Sequence, residues 1–194
     1  MSTESSMDAI IIALDDHLAE VGETYAVEGT INITTFSLGE REFCLPNGLQ
    51  YDVVLTNAGE GILATGVVRG HVKATCDRCL DDTEFDVVGE VDEYYLFHEP
   101  DPGVLEDDEE EGPDYLLVES DSTINLADSI TSAFAMELPY VVLCKEDCAG
   151  LCPVCGENLN HVDCGHAEQL EREAEEARLA SSPFAALLDL DLEK

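Results

Sequence analysis

The sequence predicts an α+β protein: an antiparallel β meander as the body, one helix packed on it, then a cysteine-rich knuckle and a helical tail. Three observations predict it. Between Tyr25 and Phe97, apolar and polar residues alternate in runs separated by Gly, Asn and Asp, the period of strands buried on one face. Ile124, Ala127, Ile130, Phe134 and Leu138 recur at the three-and-four spacing of one helix face. Five of the eight cysteines fall between Cys144 and Cys164, in CKEDCAGLCPVCGENLNHVDC.

Taken in order, residues 1–98 read as an N-terminal region and the β body. Tyr25–Thr35 and Leu49–Thr56 are strands, and the turn-rich NAGEG sends the chain back through Ile62–Val68 as a hairpin partner. His71–Thr75 extends that strand, Cys76-Asp-Arg-Cys79 makes a tight corner, and Thr83–Phe97 is a long, acidic, alternating strand. Residues 99–121 read as an acidic flexible loop, because three prolines and the six consecutive acids 106–111 self-repel and resist packing. Residues 122–143 are expected to supply a helix capped by Asp121 or Ser122, ended by Pro139, and a strand YVVL, both packed on the body. The knuckle occupies 144–166. The tail, 167–194, is an alanine-rich charged helix followed by a short one, PFAALLDL, begun at Ser181 or Ser182.

Length and composition place the chain among globular proteins: 194 residues, 45% hydrophobic, without tryptophan. The apolar run Ala9–Leu14 is too short for a signal or a membrane span, has no basic residues before it and is followed by two aspartates. A cytoplasmic location without membrane association is the expectation, and in a reducing compartment clustered cysteines point to metal ligands or catalytic thiols before disulfides. Lys and Arg number 8 against 44 Asp and Glu, a formal charge of −36, and no Lys or Arg lies between Arg78 and Lys145. Such a surface repels phosphate, which argues against extensive direct contact with nucleic acid and makes basic proteins the natural partners. Solubility alone is the competing reading of the charge.

Cys152-Pro-Val-Cys155-Gly has the form of a metal knuckle, since two thiolates separated by two residues can face one ion, and Gly156 lets the turn fold beneath them. Soft thiolates and a closed four-ligand set point to structural Zn2+, with Cys148, Cys152, Cys155 and Cys164 as the expected ligands and Cys144 as the alternate. His161 or His166 could replace one sulfur. Metal binding then contributes on the order of 10 kcal/mol to ordering so short a segment. Cys76 and Cys79 form a possible second thiol pair with three readings: a corner of reduced thiols, a half-site completing the zinc knuckle, or a redox pair. Strands on both sides of the pair argue against the last, which wants a helix N-terminus to lower the thiol pKa. Cys44, alone in REFCLPNG, is expected to be buried as a small apolar residue. Four protein ligands leave no open position for a reacting group, the five histidines lie near no nucleophile motif, and there is no phosphate-cradling glycine loop, so no enzyme is predicted.

The strand pair ILATGVVRGHVKATCDRCL, the long acidic strand, the helix ending in ELPYVVLC, then CAGLCPVCGENLN and PFAALLDL together resemble the YceD-type large-subunit ribosomal RNA accumulation proteins. The resemblance covers about Leu49 to Leu190. It implies a bacterial, non-enzymatic ribosome biogenesis factor needed for accumulation of 23S ribosomal RNA. The six-acid block and the lengthened N-terminus depart from the family, and no role is carried onto them. An acidic protein linked to ribosomal RNA is reconciled by a basic ribosomal protein or a large-subunit precursor as partner. Two other classes compete: a cytoplasmic thiol oxidoreductase using Cys76 and Cys79, and an acidic regulator that mimics nucleic acid. The sequence leaves the oligomeric state open.

Overall fold

A computed structural model describes residues 9–99 and 116–181. The acidic block 106–111 and the expected helix in PFAALLDL lie outside those residues. The described residues form two compact units. One comprises those up to Ala74 and those from Asp82 to Val142; the other comprises Thr75–Asp81 and those from Leu143 onward.

The first unit is built on strand alternation. Short β1 (Ile11–Ala13) precedes β2 (Thr24–Ile31), and β2 pairs antiparallel with β5 (Leu49–Asn57), Ile31 opposite Leu49. The hairpin from β5 into β6 (Gly61–Thr75) forms where Asn57 can fold the turn: its side-chain oxygen accepts from the Gly59 N–H at 2.8 Å, and Gly59 takes the positive φ of 97° that the turn needs. Between β2 and β5 in the chain, the hairpin β3 (Thr35–Leu38) and β4 (Arg41–Cys44) hands β4 to β6, so that β6 faces β5 up to Leu49 opposite Gly70 and then β4 at Cys44 opposite Lys73. β7 (Asp82–Leu96) pairs with β6. Val53 and Leu55 of β5, Ile62, Val68 and Val72 of β6, and Val87 and Val91 of β7 point into one core. The opposite side of β7 exposes Asp82, Glu84, Asp86, Glu90 and Asp92 in alternation, a row of carboxylates partly answered by Lys73 on Glu84 at 3.3 Å and His71 on Asp86 at 2.7 Å.

One helix closes the core. α1 (Ala127–Met136) lays Ile130 and Phe134, both fully buried, against the sheet. Its approach depends on two glycines. A Cβ on Gly70 would stand 2.7 Å from the Phe134 ring, and one on Gly89 of β7 would run into the Ala133 backbone. Phe36 meets the Phe134 ring edge-on at 5.5 Å between centroids.

The α+β class holds, with four departures from the expected elements. The helix does not reach back to Ile124. Residues Thr123–Asn125 form a strand, β9, paired antiparallel with β1 so that Ile12 faces Ile124, and the Asn125 side-chain oxygen accepts the N–H groups of both Ala127 and Ile10 at 3.1 Å. The helix therefore starts after Leu126, not at Asp121 or Ser122, and the Asx turn of Asn125 satisfies its first free N–H, that of Ala127. The meander is not wholly antiparallel: β8 (Leu116–Leu117) runs parallel to the end of β7. Tyr140–Leu143 is not a strand. Pro139 breaks the helix into bends, leaving Tyr140 and Val141 exposed while Val142 is buried. Cys44 is exposed, since strand alternation gives the inward positions on either side of it to Phe43 and Leu45.

Candidate metal centres

The second unit contains two Cys-X-X-Cys turns with the same backbone. In the first, the Cys76 N–H donates to the Asp81 carbonyl at 2.8 Å and the Leu80 N–H to the Cys76 carbonyl at 3.0 Å. In the second, the Cys152 N–H donates to the Glu157 carbonyl at 2.8 Å and the Gly156 N–H to the Cys152 carbonyl at 2.8 Å. Closing such a turn places the residue after the second cysteine in the left-handed region. Gly156 adopts it freely at φ 76°, whereas Leu80 is forced there at φ 64°.

The turns aim N–H groups at sulfur. Burial pushes the Cys76 thiol up, but the backbone N–H groups of Cys79, Arg78 and Cys144 outweigh it and hold the pKa at about 6. Cys152 is likewise held at about 6, chiefly by the Cys155 N–H, against burial and with help from that of Val154. Their partners move the other way: burial raises Cys79 and Cys144. Cys148 is lowered like Cys76, chiefly by the Asn160 amide.

All eight cysteines are free, and seven of them fall into two groups of four ligands whose donor atoms all lie within 4.8 Å of one another within each group. Cys76, Cys79, Cys144 and Cys148 make the first, with Cys76 Sγ 3.8 Å from Cys148 Sγ and Cys79 Sγ 3.5 Å from Cys144 Sγ. Cys152, Cys155, Cys164 and His166 make the second, with Cys152 Sγ 3.8 Å from His166 Nδ1. A tetrahedral ion with sulfur bonds of roughly 2.3 Å spaces its ligands about 3.8 Å apart. Both groups fit a four-coordinate metal ion, one through four sulfurs and one through three sulfurs and an imidazole.

The grouping differs from the set read from the sequence. Cys152, Cys155 and Cys164 do come together, but Cys148 joins Cys76, Cys79 and Cys144, and His166 takes its place. The Cys76/Cys79 pair belongs to a separate four-sulfur group and does not complete the knuckle of Cys152 and Cys155. Chain distance misleads here: only three residues separate Cys148 from Cys152, yet Gly150, at φ 75°, turns the chain between them. His161 is no ligand in either group and instead meets Asp81 at 3.0 Å.

Three outer residues were missed by sequence reasoning. The Asn160 amide donates to Cys148 Sγ at 3.3 Å and accepts the Ala149 N–H at 2.9 Å. Asp81 accepts from Asn158 at 2.8 Å and from Cys79 Sγ at 3.4 Å, and these contacts with His161 hold its carboxyl below the usual range. The available signal was GENLN, two asparagines two residues apart directly after a knuckle, where side-chain amides can reach sulfur and backbone alike.

These two groups lie inside the region that other proteins share. A family model described as large ribosomal RNA subunit accumulation protein YceD matches residues 64–191. The chain belongs to this family. The YceD match takes in every residue of both four-ligand groups and leaves out β1 to β5. Uncharacterized proteins of Mycobacterium tuberculosis and Mycobacterium bovis are each 36% identical over 108 residues, 56% of this chain and 50% of theirs. One of Mycobacterium leprae is 32% identical over 118 residues, 61% and 52% of the two chains. The chain thus spans about half the length of the curated relatives it matches. No solved structure matches. Among the described residues, no helix is long and apolar enough to cross a membrane.

Proposed function

We propose that this protein supports accumulation of large-subunit (23S) ribosomal RNA without catalysing a reaction, by engaging a basic ribosomal protein or an assembly intermediate that carries one. Membership of the YceD family is the observation that carries this reading. The charge selects the partner. A formal −36, with a row of exposed carboxylates along β7, attracts a cationic protein and repels bare RNA. Cytoplasmic Zn2+ is the proposed ion in the cysteine unit, where it acts as a structural staple. Each four-ligand group is complete from protein side chains, which leaves no coordination position for a substrate.

Pull-down from lysate at low salt tests the partner. The expected result is recovery of at least one basic large-subunit protein, released as salt rises, because charge-steered contacts are screened. Recovery of large-subunit RNA that persists after the basic proteins are stripped away would overturn it. The thiol oxidoreductase reading finds less support, since Cys76 and Cys79 face two further sulfurs and sit in a four-sulfur group.

A further inference from the structure

We propose that the cysteine unit binds two metal ions whose affinities are coupled, and that the loop 157–160 is the coupling element. This rests on the reading of both groups as metal centres and goes beyond it, because two ions in one unit need not sense each other.

The Glu157 carbonyl accepts the Cys152 N–H, so the loop's first residue closes the knuckle of the second centre. Asn158 bridges back to Leu151, just before Cys152. The next contacts go to the other centre. Asn160 donates its amide to Cys148 Sγ at 3.3 Å. Asn158 donates to Asp81, which in turn accepts from Cys79 Sγ. The two asparagines are themselves joined, Asn160 donating from both its backbone and its amide to the Asn158 side-chain oxygen at 3.0 and 3.1 Å. Four residues thus finish the turn around Cys152 and set an amide donor on Cys148, a sulfur of the first centre. An ion held by Cys152, Cys155, Cys164 and His166 orders that loop, and the ordered loop presents Asn160 and Asn158 to Cys148 and Asp81. Linkage makes the effect reciprocal: an ion at the first centre favours the same loop and raises affinity at the second.

Asn160 is a positioning residue, since it acts through Cys148. Outer-shell partners of metal ligands change affinity by about 10- to 100-fold when removed.

The full chain, stripped of metal under reducing conditions, is titrated with Co2+, whose visible ligand-field spectrum distinguishes four sulfurs from three sulfurs and an imidazole. The expected result is two ions per chain, one of each spectrum, filling cooperatively. In Cys155→Ser, four-sulfur binding weakens by about tenfold or more although none of its ligands has changed. Because that variant could also disturb folding, Asn160→Ala serves as the second. It keeps all eight ligands, and is expected to weaken the four-sulfur centre by about tenfold and to abolish cooperativity while the mixed centre still fills. Two ions that fill independently in the parent chain, or four-sulfur affinity unchanged in both variants, overturn the coupling and leave the metal reading standing. Failure to bind Co2+ at either centre overturns both.

Discussion

Leu80 is the residue at which local strain and metal chemistry meet. It occupies the position that Gly156 fills in the second turn, at φ 64°, with its side chain 63% exposed. A leucine there costs about 1–2 kcal/mol in backbone strain and recovers little by burial. Leu80→Gly is therefore expected to stabilise the cysteine unit by up to about 1 kcal/mol after the extra chain entropy of glycine is set against the relief. Retention of metal against a chelator should lengthen in the variant; faster loss would contradict the strain argument. The same leucine explains part of what the sequence concealed. CPVCG announces a knuckle through its glycine, whereas CDRCL carries an identical backbone under a residue that rarely adopts it. The cysteines were legible as candidate ligands from their spacing, but their grouping was not, because it depends on Gly150 turning the chain between Cys148 and Cys152.

At the level of elements, the long strands were legible because one face of each meets the core, and alternation over Gly61–Thr75 and Asp82–Leu96 records it. Short elements were not. β9 is three residues whose strand character comes from pairing with β1, more than 100 residues away, and Ile124 fits a helix stripe equally well in sequence. The helix contact is the element-scale claim that can be tested by one substitution. Gly89 lets α1 approach β7 until the Ala133 backbone occupies the space of a side chain. Gly89→Ala must push the helix outward or bend the strand, at a cost of about 1–3 kcal/mol. The urea midpoint should fall with little change in slope. An unchanged midpoint would mean that the helix is held less closely than this packing implies.

Across the whole molecule, the two units differ in what holds them. The first has an apolar core of strand and helix residues. In the second, the buried cluster among the described residues is Cys76, Cys79 and Cys148, with Leu143, Cys144 and Leu151 packed against it, so cysteines, the candidate ligands, make up most of that cluster. Metal removal should then unfold the second and spare the first. Hydrogen exchange after chelation is expected to lose protection at 75–81 and 143–166 while β5 and β6 keep theirs; equal loss in both would contradict separate supports. Function belongs to this scale too, because the acidic charge acts as a field over the surface and no single carboxylate carries it. The most direct test is a low-salt density gradient of cell lysate, blotted for this protein and probed in each fraction for large-subunit RNA precursors and unassembled large-subunit proteins. Co-migration with precursor particles, or with one free basic protein, is the predicted result. Confinement to the top of the gradient, with no ribosomal component bound, would contradict the account.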